Sequence, residues 1–381
     1  MIVVIVRDSR IYEQVARAFA DLPPDEWRVI AIASDARGFP PPVNTTCMDI
    51  NFSHVSRVDR YEPRYSLHHT LYEERVSALH HDVERYENIP SFHWDAIYDG
   101  IDRLVRELES NVAADDVVVT WNDRLWYNEV TVSTCVADIV RMERGISNRF
   151  VVDRVGLDEG CNEFQRYVWP ERSVTADEQV RAREWIDEYF KGKTSLERQP
   201  RQASVDSIKE RLGPGDRPIV FAPLQVPLDT NVIFRGASNE ELLEFVADGD
   251  YVAIAKRHPG DKWTRQDWLE GRCAELGVTL VDDHVFSLIH ACDCVVTMNS
   301  QVGIEAAMHG KPVGMLAGAY WKGTGVTVDH PESVDDVLAH TVDQDLIYEF
   351  TDRLILHYLK DSHETALLVK EIDSHDVSHV A

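Results

Sequence analysis

Apolar runs of four to six residues recur along the chain, each bounded by polar or turn residues, and the stretches between several of them repeat at helical period. Runs of this kind are strands buried on both faces, as a mostly parallel sheet requires. Residues 2 to 6 form the first, an amphipathic helix over 10 to 21 follows, and 28 to 33 is a second strand. The polar stretch from about 61 to 112 is helical in period, and 117 to 121 is another buried strand, ending at Asn122-Asp123-Arg124. A strand over 149 to 152 leads into Asp153 and a loop over 156 to 162. Thr175 and Glu178 form a capping box that opens a helix over 176 to 190, since hydroxyl and carboxylate each satisfy an end N–H.

Residues 191 to 217 are polar and broken by Pro200, Gly213-Pro214-Gly215 and Pro218, which marks a linker. Beyond it the alternation restarts, with strands at 219 to 222, 251 to 255, 278 to 281, 294 to 298 and 313 to 316. At 381 residues the chain exceeds one ordinary core. The pattern predicts an α/β protein of two Rossmann-like domains facing a cleft: residues 1 to 190, the linker 191 to 217, a second domain over 218 to 340, and C-terminal helices over 341 to 381 packing back on the first.

Composition narrows the partners. The formal charge is −27, with nine Lys and thirty Arg, and the acidic residues are spread along the chain. Spread acidity with little Lys reads as a halophilic surface, and it argues against general binding to nucleic acid or anionic membrane. The six cysteines are scattered, and the close pair Cys292 and Cys294 lies at a strand entry, so they read as reduced core thiols in a cytoplasmic protein. The opening apolar run ends at Arg7-Asp8, too short for a signal peptide or a membrane span.

Candidate chemistry gathers at three strand ends of the second half, where open α/β sheets bind ligands. These are Pro223 to Asp229 with Gln225, Lys256-Arg257-His258-Pro259, and Asn299-Ser300 with Glu305. Lys256, Arg257, His258 and Lys262 form a cationic island in a strongly acidic chain, suited to an anionic ligand. Pro259 holds His258 extended, so that its imidazole can donate to a phosphate oxygen. Asn299-Ser300 begins a small-residue helix whose open N–H groups and dipole favour a phosphate, and Glu305 can accept ribose hydroxyls. Taken singly, Ser300 reads as an N-cap and Glu305 as a surface helix residue.

Together the motifs Pro-Leu-Gln-Val-Pro-x-Asp (223 to 229), Lys-x-His-Pro (256 to 259) and Asn-Ser-x-Val-Gly-x-Glu-Ala-x-x-x-Gly-Lys-Pro-Val (299 to 313), closed by Gly318-Ala-Tyr320 and Gly325, resemble the capsule polysaccharide biosynthesis family over roughly residues 115 to 330. That family includes bacterial β-Kdo glycosyltransferases. The resemblance implies a GT-B-like glycosyltransferase using a CMP-activated ulosonic acid, without metal or other cofactor, acting on a glycan or glycolipid acceptor in peripheral association with a glycan-assembly complex. It implies nucleotide contacts by His258, Pro259, Asn299, Ser300 and Glu305, with Lys256 and Arg257 beside them. Asp229 matches the candidate nucleophile of a retaining displacement, oriented by Gln225. The acceptor-activating acid falls at Asp153, where the family shows Glu before Gly, with Glu159 as the fallback.

Other constellations compete. Asp248-Gly-Asp250 and Asp343-Gln-Asp345 have a metal-bridging form, although the first reads better as a turn into a strand. His68-His69 and His80-His81 can share a helical face, and read as solvated rather than metal-binding. The same cleft also suits a nucleotide-sugar epimerase or hydrolase, or a catalytically silent assembly subunit.

Overall fold

Burial explains the strands. Val3, Val4, Ile5, Val118 and Val119 are fully buried, as are Val220, Phe221, Ala222, Val295 and Val296. A run that is apolar on every residue can only be satisfied between two helix layers. In the computed structural model, residues 1–6, 9–19, 22–23, 25–31, 45–47, 78–79, 81–87, 94–121, 126–157, 162, 164–169, 174–192, 200, 202–229, 232, 238–247 and 249–373 are described.

The first body comprises β1 (Ile2–Val6), α1 (Ser9–Ala18), β2 (Trp27–Ala31), β3 (Thr45–Cys47), α2 (Trp94–Asn111), β4 (Val117–Trp121), α3 (Trp126–Thr134), β5 (Asp138–Arg144) and β6 (Phe150–Asp153). Its sheet has the order β3-β2-β1-β4-β5-β6. The neighbouring pairs from β3 to β5 are parallel, whereas β6 runs antiparallel to β5, with Arg144 opposite Phe150 and Arg141 opposite Asp153.

The second body follows α4 (Ala176–Gly192) and α5 (Val205–Leu212). It holds β7 (Ile219–Pro223), α6 (Asn239–Phe245), β8 (Val252–Lys256), α7 (Gln266–Glu275), β9 (Thr279–Leu280), α8 (Val285–Ala291), β10 (Cys294–Thr297), α9 (Gln301–Met308), β11 (Val313–Met315), β12 (Val328–Asp329), α10 (Val334–Leu338) and α11 (Gln344–Thr351). The sheet order β12-β11-β10-β7-β8-β9 is parallel throughout. Counted from its own first strand it repeats the order of the first sheet, so each sheet reverses direction between its first and fourth strands. The α/β fold of two Rossmann-like bodies expected from the alternation is what the structure has.

Caps fix the helix ends. Thr175 and Glu178 form the expected box, Ser238 and Ser333 cap α6 and α10, and Gly213 ends α5 at φ 57, where a side chain would be strained. The Asp343 side chain caps α11 by accepting from the N–H groups of Asp345 and Leu346, so Asp343-Gln-Asp345 is a helix start. Asp250 lies in the turn before β8, and Asp248, His68, His69 and His80 lie outside the described residues.

The chain crosses between the bodies. Helix α4 buries Ile186 and Tyr189 in the core of the second body, together with Ile219, Phe221 and Phe350. A π-helical segment, Asp352–Tyr358, then leads to α12 (Ser362–Asp373), whose Ala366, Val369 and Ile372 join the first body's core beside Ile2, Val4 and Val117. No described helix is long and apolar enough to cross a membrane. Cys135, Cys273, Cys292 and Cys294 are free, and burial pushes Cys135 and Cys273 up to about 11 and Cys292 up to about 12, which keeps them protonated.

Candidate active site

A cleft of about 380 Å³ opens at the carboxyl edge of the second sheet and is closed on its far side by Glu143, Arg144 and Ile146 of the first body. It falls at the reversal point between β7 and β10, where two neighbouring strands send their following loops apart and leave a crevice. Its volume is in the range of small-molecule sites. Gln225, Asp229, Lys256, Arg257, His258, Pro259, Asn299, Ser300 and Glu305 all line it. Nine residues singled out over eighty positions of sequence therefore meet in one place.

Their roles differ. Gln225 and Asn299 brace each other across the crevice floor: Gln225 Nε2 donates to Asn299 Oδ1 at 3.0 Å, and Asn299 N donates to Gln225 Oε1 at 3.3 Å. Asn239 holds the Gln225 backbone on both sides, at 2.8 and 2.7 Å, while Asn299 Nδ2 donates to the Gly318 carbonyl at 3.2 Å. These amides set the spacing of the loops after β7 and β10. Asp229, at the mouth, is exposed, and its turn is closed by its N–H on the Val226 carbonyl at 3.0 Å.

The cationic island is partly neutralised. Lys256 is buried and donates to Asp282 at 3.0 Å. Arg257 is spent on its own loop, donating to Gln266 Oε1 at 2.8 Å and to the Thr264 carbonyl at 2.5 Å, with Asp261 at 3.4 Å. That loop is also tied to the first half of the chain: Glu87 N donates to the Trp263 carbonyl at 2.8 Å, and Arg265 N donates to the Arg85 carbonyl at 2.9 Å. His258 Nδ1 accepts from Gly260 N at 3.0 Å, so the neutral ring carries its proton on Nε2. A cleft-lining imidazole in this tautomer is a donor.

Helix α9 begins at Ser300, whose Oγ accepts from Val302 N at 3.2 Å, so the N-cap role holds. Glu305 is not a surface residue: it is 8% exposed, and its Oε1 accepts from the Tyr189 hydroxyl of α4 at 2.7 Å. Tyr189, which covers it, comes from α4, and a helical pattern alone does not reveal that contact.

Asp153 is not brought into the cleft. Because β6 is antiparallel, its carboxyl end lies at the opposite edge of the sheet from the end of β5. There Asp153 is fully buried and accepts from Val155 N at 2.7 Å, Gly156 N at 2.9 Å and the Tyr358 hydroxyl at 2.8 Å. It caps the strand and ties the two bodies together. Glu159, Asn122 and Asp123 lie outside the described residues.

Among the described residues, the acidic residue that the first body presents to the cleft is Glu143, at the carboxyl end of β5. Burial, and after it the charge of Glu143, raise the Tyr320 phenol above the ordinary tyrosine range. Gln301 Nε2 donates to the Arg144 carbonyl at 3.0 Å and holds the two walls in register. The signal for Glu143 was present as Met142-Glu143-Arg144-Gly145, an acidic residue two positions before Gly at a strand end.

Residues 180–356 match the family model described as capsule polysaccharide biosynthesis protein, so the resemblance read from the motifs holds over that stretch, which begins and ends later than the 115 to 330 expected. No curated protein matches the chain by sequence. Among solved structures, a Thermosulfurimonas dismutans KpsC described as a β-Kdo 2,7 transferase is 20% identical, with a TM-score of 0.48 over 82% of this chain and 97% of that one. A T. dismutans KpsC described as a β-Kdo 2,4 transferase is 17% identical, with a TM-score of 0.43 over 62% and 78%. The UDP-GlcNAc 2-epimerase of Methanocaldococcus jannaschii is 12% identical, with a TM-score of 0.36 over 98% and 100%.

Proposed function

We propose that this chain, a member of the capsule polysaccharide biosynthesis family over residues 180–356, is a glycosyltransferase that moves a Kdo-like ulosonic acid from a CMP-activated donor to a glycan acceptor. The observation that carries the reading is the meeting of Asp229, His258, Ser300 and Glu305 with Glu143 of the opposite body in one cleft. The donor's phosphate sits against His258 and the start of α9, and its ribose against Glu305. Asp229 attacks the anomeric carbon as the bond to the phosphate oxygen breaks and CMP leaves. The acceptor hydroxyl gives its proton to Glu143 and displaces Asp229, so that the configuration is retained. Glu143 takes the role that the family resemblance had placed at Asp153, because among the described residues it is the first-body carboxylate that lines the cleft.

A thermal-shift panel of CMP, UMP, UDP and GDP tests the nucleotide, with CMP expected to give the largest rise. Asp229→Ala should abolish transfer and leave CMP binding nearly intact, whereas His258→Ala should weaken CMP binding. An unchanged CMP affinity in the His258 variant, measured by calorimetry, would sink the assignment. Release of free sugar at the same rate with and without acceptor would instead mark a hydrolase.

A further inference from the structure

We propose that Glu178, Asp352 and His357 form a divalent-cation site, suited to Zn²⁺, that pins α4 to the π-helical segment outside the cleft. One ligand atom from each lies within 4.8 Å of the other two. His357 Nε2 stands 3.2 Å from Asp352 Oδ2, the separation of two ligands that share one ion at bond lengths of about 2.0 to 2.2 Å. Imidazole with carboxylates is a donor set for zinc rather than for calcium or magnesium.

The local backbone makes the pair possible. In an α-helix, residues five apart face different directions, but Asp352–Tyr358 is π-helical and aligns position i with i+5. Asp352 and His357 are therefore turned to one side by a helix form that recurs at functional sites. Glu178 comes from the first turn of α4, its Oε2 fixed by the Thr175 N–H at 2.8 Å and the Thr175 hydroxyl at 2.9 Å. Such an outer contact orients a carboxylate ligand. Charge points the same way. Asp352 is fully buried and Glu178 is 9% exposed, so two carboxylates share a dry place. A divalent ion held between them offsets the charge of both carboxylates.

The test uses the full chain. Metal analysis of protein purified without chelator should find about one zinc per chain, and chelated protein should regain it from ZnCl₂ in a calorimetric titration with a rise in Tm of roughly 5 °C or more. His357→Ala, and independently Glu178→Gln, should lose that binding and the rise while nucleotide still binds the cleft. Two results would overturn the proposal: no stoichiometric zinc in either measurement, or undiminished uptake by the His357 variant. A wild-type Tm indifferent to zinc but falling as pH rises past the histidine range would show instead that the pair holds a proton.

Discussion

Glu143→Gln removes one negative charge from the first body's wall with almost no change of shape. On the proposed mechanism, transfer should fall by about 10²–10⁴-fold, the usual worth of a positioned acid or base, with CMP binding unchanged. The same substitution should let the Tyr320 phenol ionise at lower pH, because the charge that opposes its ionisation is gone while its burial remains. Ultraviolet titration reads this directly, and an unmoved phenol would separate Glu143 from Tyr320. The Gln225–Asn299 brace gives a second measurement at this scale. Replacing either residue by Ala should destabilise the protein, and the double variant should cost less than the two added together, with a coupling of about 1 kcal/mol in urea melts.

At the level of elements, Ser300→Ala should cost about 1 kcal/mol of stability through the lost cap of α9, as read from the urea midpoint. On the proposed reading, Tyr189→Phe should loosen Glu305 and raise the donor KM more than it lowers kcat, since the hydroxyl touches the carboxylate proposed to hold the ribose and not the proposed reacting centre. An equal loss in both constants would place Glu305 elsewhere. The second sheet was legible almost strand for strand, because its strands are short apolar runs buried on both faces, and the three ligand loops follow them directly. Two things were not legible. Strand β5 reads Asp-Ile-Val-Arg-Met-Glu-Arg, with only Val140 and Met142 fully buried between charged residues, so it does not stand out as an apolar run. Strand β6 does stand out, but Phe-Val-Val-Asp carries no information about its direction. Missing the first strand and assuming the direction of the second directed attention to Asp153, which lies away from the cleft, and not to Glu143, which lines it. Glu305 shows a third limit, since its contact with Tyr189 comes from a helix more than a hundred residues away.

For the molecule as a whole, acid stability has an identifiable contributor. Burial, then His290 and Lys311, push His309 down to about 3, and its ring lies 3.6 Å from that of Phe190. The unfolded histidine takes up its proton near pH 6.5, well before the folded one. The neutral ring's contribution is therefore complete above pH 6.5 and is lost progressively as pH falls toward 3. Thermal melts between pH 7 and pH 4.5 should show a falling Tm, and His309→Leu should make that fall shallower. The net charge of −27 adds a dependence on salt: the Tm should rise steeply with KCl as self-repulsion is screened.

On the proposed function, the crossed packing of α4 and α12 also bears on how donor specificity could be exchanged between related chains. A single recombination point in the polar stretch after α4 would inherit α4 from one parent and the core it fills from the other, and α12 would face a foreign sheet. A functional chimera needs two junctions, one ahead of residue 176 and one near residue 360, so that the donor half travels as an insert inside the acceptor half.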